Sequence, residues 1–304
     1  MSEKTPARFA LGPALMFCPA SRPELFGKAA SSADAVIIDL EDAVISGAKE
    51  IARQNMVQAL RRDQVGMDPR STLVRVNAPA SGELEDDLAA LAETSVRYVV
   101  VSKAERTEIL DQIADALPGV GLIPQIETPI GVLNDLALTQ HRATVALLWG
   151  TEDLIAGIGG TTSRNNDGTQ RDIIRFTRNR LLLTAGAVGV PAIDAVFTRV
   201  PDLQRLAVET EDACASGFIG KACIHPDQVE PIRRAYTPTA SDLEWAKGVI
   251  AAFETNAGLH PGEGHRADPE LSGAFSFRGE MIDLPVIIQV QRILTRFESI
   301  GQVA

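Results

Sequence analysis

Short apolar runs, rich in β-branched residues and without polar alternation, recur along the chain with amphipathic stretches between them. They lie at residues 14–17, 36–38, 73–76, 99–101, 121–123, 145–149, 192–197 and 217–219. Unalternated runs suit strands covered on both faces, as in a parallel sheet. The intervening stretches have helical spacing. In residues 48–62, Ala48, Ala52, Met56 and Ala59 share one face and charged residues take the other. Residues 171–188 and 203–215 behave alike. Eight strands and seven intervening segments over roughly 200 residues match an α/β protein of the (β/α)8 TIM-barrel class. A doubly wound sheet is the alternative. It normally carries a Gly-rich dinucleotide turn after its first strand, where this chain has Pro19-Ala20-Ser21-Arg22-Pro23.

The repeat stops after Pro238. Residues 239–257 and 284–300 read as helices, the first with Ser241 as N-cap and Glu244 three residues on. Residues 259–277, rich in Gly, Pro, His and Ser, read as loop. The expected organisation is a barrel over 1–238 with a helical C-terminal extension over 239–304, contributing to oligomer and active site.

Charge narrows the function classes. Twenty-nine basic against forty acidic residues leave a net charge of −11. General nucleic-acid binding needs a basic footprint and is not expected, whereas a local Arg/Lys cluster still suits a small anion. No apolar run approaches the length of a membrane span. Lys4 and Arg8 precede an apolar stretch that loosely mimics a signal peptide, but Gly12-Pro13 interrupts it and the stretch reads better as a first strand. Cys18, Cys214 and Cys223 form neither a disulfide framework nor a CxxC zinc pair. A reducing cytoplasm is the expected location.

Barrel chemistry collects where strands end and βα loops begin. Nearly every run delivers an ionisable residue there: Arg22 and Lys28 after the first, Asp39, Glu41 and Asp42 after the second, Arg75 in the third, Lys103 after the fourth, Glu127 after the fifth. Gly150-Thr151-Glu152-Asp153 follows the sixth, Asp194 lies in the seventh, and Lys221 and His225 follow the eighth. Glu127 and Asp153, from neighbouring strands, suit a hard divalent cation that leaves other positions to water and substrate. Each could equally be a solvated loop acid. Arg75 in an apolar strand needs a partner. It is either an ion pair with Asp39 or Glu41, or a fork aimed at a carboxylate or enolate oxygen.

Weaker signals follow. Gly157-Ile158-Gly159-Gly160 lacks the residues of a P-loop and reads as a flexible loop to about Thr169, a candidate lid. His260 and His265 sit in a Gly-Pro loop and suggest little metal binding. His225 before Pro226 reads as a backbone-shaping residue. Cys18 has no activating partner, so nucleophilic catalysis has little support.

Ordered motifs then resemble a known family. Phe17-Cys18-Pro19-Ala20-Ser21-Arg22-Pro23-Glu24, Ile38-Asp39-Leu40-Glu41-Asp42-Ala43-Val44 and Val74-Arg75-Val76-Asn77 are similar to the citrate lyase β-subunit-like (CitE-like) branch of the HpcH/HpaI aldolase superfamily. Ile126-Glu127-Thr128, Trp149-Gly150-Thr151-Glu152-Asp153-Leu154 and residues 217–228 extend the match. Gly279-Glu280-Met281-Ile282-Asp283-Leu284-Pro285 resembles a C-terminal motif of the malyl-CoA and citramalyl-CoA lyase members. One departure is Ser102-Lys103, where Pro-Lys is common in the family.

The resemblance implies a (β/α)8 barrel assembled as a homotrimer or hexamer. It implies Glu127 and Asp153 as Mg²⁺ ligands (Mn²⁺ being the substitute), Arg75 as substrate clamp, and Asp39 and Glu41 as groups that pair with Arg75 or metal-bound water. Arg22 and Lys28 would meet coenzyme A phosphates, with Gly150, Thr151 and Glu152 beside the substrate. Asp283 matches the acid–base group. The implied activity is a Mg²⁺-dependent carbon–carbon lyase that cleaves a 3-hydroxyacyl-CoA of the malyl-CoA or citramalyl-CoA type to acetyl-CoA and a 2-oxo acid. Alternatives are a coenzyme A-independent 2-oxo acid aldolase, a malyl-CoA thioesterase, and the β subunit of a multi-subunit citrate lyase. No redox cofactor, Schiff-base lysine, nucleic-acid or membrane partner is implied.

Overall fold

The structure, a computed structural model, describes residues 9–61, 67–256 and 273–301. His260, His265, Lys4 and Arg8 lie outside the described residues. The chain forms two compact units, Met1–Arg233 and Arg234–Ala304.

The first unit is an eight-stranded parallel barrel. Its strands are β1 (Ala14–Pro19), β2 (Ala35–Asp39), β3 (Thr72–Val76), β4 (Tyr98–Val101), β5 (Gly121–Ile126), β6 (Leu148–Trp149), β7 (Ile193–Asp194) and β8 (Gly220–Cys223). Each pairs with the next, β8 pairs with β1, and a bridge from Leu147 to Ala192 joins β6 to β7. Helices cover the outside, among them Lys49–Leu60, Asp172–Val188 and Leu203–Ser216.

Side chains alternate between the two faces of a strand. Leu15, Ile37, Leu73, Val100, Ile123 and Leu148 share one apolar cluster inside the barrel. The Phe9 ring seals it at the N-terminal end, edge-on to Tyr98 with ring centres 5.2 Å apart. Two residues further along the same inward rows stand Asp39, Arg75 and Gln125, and one more step on β5 reaches Glu127. The alternation therefore lays a polar layer on an apolar plug at the C-terminal end.

The same parity corrects two expectations. Asp194 and Lys221 were expected at the catalytic rim, but they face outward, between barrel and helices. Lys221 Nζ lies 2.8 Å from Asp194 Oδ2. Trp149 Nε1 and Arg178 Nε, the latter on helix Asp172–Val188, donate to Asp194 Oδ1 at 3.0 and 3.3 Å. The eighth strand is also displaced from 217–219. Gly217, at φ +115°, ends the preceding helix with its N–H on Ala213, so Phe218 and Ile219 carry the chain back and the ladder starts at Gly220. The parallel ladder also takes up only part of the sixth and seventh apolar runs.

The expected lid, 157–169, is tied down. Arg164 pairs with both carboxylate oxygens of Glu209 and stacks over the Phe197 ring, 4.8 Å from its centre. Ser163 Oγ donates to Glu152 Oε1 at 2.7 Å. His225 shapes the backbone as expected: its Nδ1 accepts the Asp227 N–H at 3.2 Å.

In the second unit, helix Ala240–Asn256 starts one capping register earlier than expected. Thr239 Oγ1 accepts the Asp242 N–H at 3.1 Å and Asp242 Oδ2 accepts the Thr239 N–H at 2.9 Å, the reciprocal box that Ser241 and Glu244 were expected to form. Part of the expected 259–277 loop is a strand. β9 (Phe275–Phe277) pairs antiparallel with β10 (Glu280–Ile282) across Arg278-Gly279, both at positive φ, as a two-residue primed turn requires. The hairpin leads into helix Leu284–Gly301, and Ile282, Ile287 and Val290 pack with Val249 and Phe253.

Asp194→Asn leaves Lys221 charged and unpaired in the dry layer around the barrel. It should cost about 3–5 kcal/mol of stability, read from denaturant unfolding.

Candidate active site at the C-terminal end of the barrel

β2 and β3 run side by side with Asp39 opposite Arg75, so the sheet register makes this pair before any loop contributes. Arg75 Nε and Nη2 donate to the two Asp39 oxygens, each at 2.7 Å. The guanidinium lies over the Phe17 ring, 4.8 Å from its centre. Burial pushes the Asp39 carboxyl up. The Arg75 charge and hydrogen bonds, helped by the Glu41 and Ala43 N–H groups, outweigh it and hold the carboxyl below the usual carboxylate range. Both sequence readings of Arg75 stay open in this geometry. It is an ion pair, and a bidentate pair still leaves guanidinium N–H groups over.

The loop after β2 brings Glu41, whose Oε2 is 3.0 Å from Arg75 Nη1. Its backbone is stapled by a lysine that the sequence reading did not single out. Lys49 Nζ donates to the Leu40 and Glu41 carbonyls at 2.7 Å and to Asn77 Oδ1 at 2.5 Å. Asp87 accepts from the Asn77 backbone and side chain at 2.8 Å. Burial raises Glu41 above the ordinary range, against the pull of Arg75 and Lys103.

Glu127 follows β5 and is 1% exposed. The Lys103 N–H donates to its Oε1 at 2.9 Å, and Gln125 Nε2 donates to its Oε2. Gly150, at the end of β6, makes room for it. A Cβ at that position would sit 2.5 Å from Glu127 Oε2. Burial pushes this carboxyl up to about 7, and the charges of Glu41 and Asp153 push the same way, against Arg75.

Asp153 lies in the first turn of helix Glu152–Gly157, half-exposed, with Oδ1 3.4 Å from Lys103 Nζ. The same ammonium is 2.6 Å from Glu41 Oε1 and 3.6 Å from Asp42 Oδ1. Lys103 therefore touches Glu127 with its backbone and Asp153 with its side chain, and the Asp153 charge acts on Glu127. Neither Lys103 nor Gln125 was given a role from sequence. Period-two counting back from Glu127 would have found Gln125. Lys103 was visible only as a charge at a strand end.

The remaining expected residues fall elsewhere. Arg22 and Lys28 are exposed, after β1 and on helix Phe26–Ser32, with Arg22 paired to Glu24. Glu152 turns to Thr151 and Ser163, whose hydroxyls donate to it at 3.0 and 2.7 Å, so it anchors a loop. Asp283, in the second unit, caps helix Leu284–Gly301. Its Oδ1 is 3.4 Å from the Val286 N–H and its carbonyl accepts the Ile287 N–H.

Among the described residues no three His, Cys, Asp or Glu side chains form a metal cage. Glu127 and Asp153 fit the sparser arrangement of a hard cation that keeps most of its positions for water or substrate. Among the described residues Glu127 has no cationic side chain within hydrogen-bonding distance and the buried Gln125 Oε1 beside it has no hydrogen-bond partner, while burial and acidic neighbours disfavour the Glu127 charge. A divalent ion there would balance the charge.

Comparison with known proteins agrees with this architecture. A citrate lyase subunit beta-like protein of Mycobacterium tuberculosis is 40% identical over 287 residues, 94% of this chain and 96% of that protein. Human mitochondrial citramalyl-CoA lyase is 31% identical over 311 residues, covering 95% and 86%. The crystal structure of CitE from M. tuberculosis in complex with magnesium, acetoacetate and coenzyme A superposes with a TM-score of 0.82 at 38% identity, covering 95% of this chain and 99% of that one. The family model HpcH/HpaI aldolase/citrate lyase matches residues 14–226. The chain belongs to the HpcH/HpaI aldolase/citrate lyase family.

Proposed function

We propose that the protein is a Mg²⁺-dependent carbon–carbon lyase acting on a 3-hydroxyacyl-CoA of the malyl-CoA or citramalyl-CoA type, with acetyl-CoA and a 2-oxo acid as products. The observation that carries this reading is Glu127, buried within the field of Asp153 at the end of a barrel whose next inward layer holds the Arg75–Asp39 pair. Magnesium and coenzyme A in the relative's crystal structure support the cofactor and the substrate class. Glu127 and Asp153 would hold the ion, with Mn²⁺ as its substitute. When bound, it would supply Lewis-acid polarisation of the 2-oxo acid carbonyl.

The chain's own groups account for the rest. Asp39 fixes the Arg75 fork in one rotamer, so its remaining N–H groups meet a carboxylate or developing enolate oxygen without reorganisation. Lys49 and Asn77 hold the loop that carries Glu41. Arg22 and Lys28, exposed beside the mouth of β1, suit the phosphates of coenzyme A. Proton transfer to and from the substrate falls to Asp283 on its motif position.

An exposed apolar patch across helices Pro129–Leu133, Asp135–Gln140 and Asp172–Val188 also supports self-association. Leu133 and Leu136 lie beside Asp135, which Arg180 and Thr184 bind from helix Asp172–Val188. Phe176 and Leu183 flank Arg180 on that helix, and all four apolar side chains are exposed, Leu183 by 76%. The patch suits an interaction surface, and a second copy of this chain is its proposed occupant, in a homotrimer or hexamer. Among the described residues no helix is long and apolar enough to cross a membrane.

Purified protein with Mg²⁺ should release acetyl-CoA from malyl-CoA or citramalyl-CoA. Glu127→Gln should lower kcat/KM by roughly a hundredfold or more, about 2.7 kcal/mol, and Asp283→Asn should lose turnover while keeping Mg²⁺ binding. Free coenzyme A as product would favour the thioesterase alternative, and turnover indifferent to coenzyme A the aldolase. Inactivity alone, with activity recovered in a larger complex, would favour a citrate lyase subunit.

The Glu127 carboxyl has to lose its proton to take a cation. Mg²⁺ affinity should therefore fall as pH drops through about 7, with proton release on binding, measured calorimetrically in buffers of different ionisation enthalpy. Phe176→Glu should lower the solution mass to that of a smaller assembly in light scattering.

A further inference from the structure

Lys103 stands out because it serves the acidic cluster twice from a strained backbone. Its φ is +48°, the left-handed region that non-glycine residues rarely occupy. In this conformation the N–H meets Glu127 Oε1 at 2.9 Å while the side chain reaches the neighbouring loops. There Nζ is 2.6 Å from Glu41, 3.4 Å from Asp153 and 3.6 Å from Asp42. The side chain keeps 28% of its surface exposed, so the ammonium sits at the mouth and not in the core.

Arg75 pairs with Asp39 and Glu41 deeper in the barrel and reaches Asp42 only at 3.9 Å. Among the described residues, Lys103 is the cation that the outer acids, Asp42 and Asp153, share. One ammonium thus reaches Glu41, Asp42 and the inferred cation ligand Asp153. We propose that Lys103 is the resident counter-ion of the site: its ammonium neutralises Asp153 and Glu41 while no divalent cation is bound, competes with the cation for Asp153, and withdraws to Glu41 and Asp42 when the cation enters. The strained backbone serves this exchange. The N–H keeps Glu127 in place while the flexible stem moves.

This inference rests on the reading of Glu127 and Asp153 as cation ligands. It makes Lys103 a positioning residue with an unusual signature. Removing an ordinary supporting side chain weakens ligand binding, whereas removing a competing charge strengthens it and leaves the unliganded protein worse off.

The test uses full-length protein stripped of metal with a chelator, titrated with Mg²⁺ alone in a calorimeter, and melted with and without Mg²⁺. Lys103→Met should bind Mg²⁺ about tenfold tighter than the parent, equivalent to about 1.4 kcal/mol. Its metal-free melting temperature should fall, and saturating Mg²⁺ should recover most of the loss. Lys103→Arg, which keeps the charge, should bind Mg²⁺ no tighter than the parent. A second measurement needs no variant: Mg²⁺ should raise the labelling of Lys103 in the parent protein by an amine-reactive reagent, read by mass spectrometry. Unchanged or weaker Mg²⁺ binding in a folded Lys103→Met, or labelling that Mg²⁺ leaves unchanged, overturns the proposal alone. No Mg²⁺ binding in any folded form overturns the cation reading beneath it.

Discussion

Charge enclosed in an apolar barrel has to be balanced locally, because isolated ions there cost far more than a fold can spare. That constraint organises the whole C-terminal end of this protein. The inner pair, Arg75 and Asp39, is settled by sheet register and balances its own charge. The outer acids are not. Glu127 is held by an amide and a backbone N–H, both neutral donors, while two further carboxylates act on it through a dry medium. The result is a graded site, closed at depth and short of positive charge at the mouth. A divalent ion suits the deficit, and the family to which the chain belongs includes a relative crystallised with magnesium.

The strands, the barrel and the acidic rim could be read from sequence because they rest on local signals. β-branched runs mark strands covered on both faces, and a charge that ends such a run marks a rim. What escaped depends on parity and on the third dimension. Asp194 and Lys221 read as rim residues until the alternation is counted through the strands, whereupon they face the helices and neutralise each other. The eighth strand moved because a left-handed glycine ends the preceding helix three residues before the ladder can begin. Lys49 and Gln125 gave no signal on their own. One reaches the β2 loop from a helix, and the other matters through the carboxylate two residues on. The resemblance to a family supplied roles that residue patterns alone left open, most plainly for Asp283, which the structure presents as a helix cap.

The apolar plug beneath the polar layer has a bearing on traffic. Phe9 lies edge-on to Tyr98 where the barrel begins, and the interior above it is filled by aliphatic side chains. The barrel is therefore plugged from below, and the polar layer can be approached only from the C-terminal end. On the proposed reaction, substrate and both products would pass through the same face, so the loops that hold Glu41, Lys103 and Asp153 would border the route in as well as the chemistry.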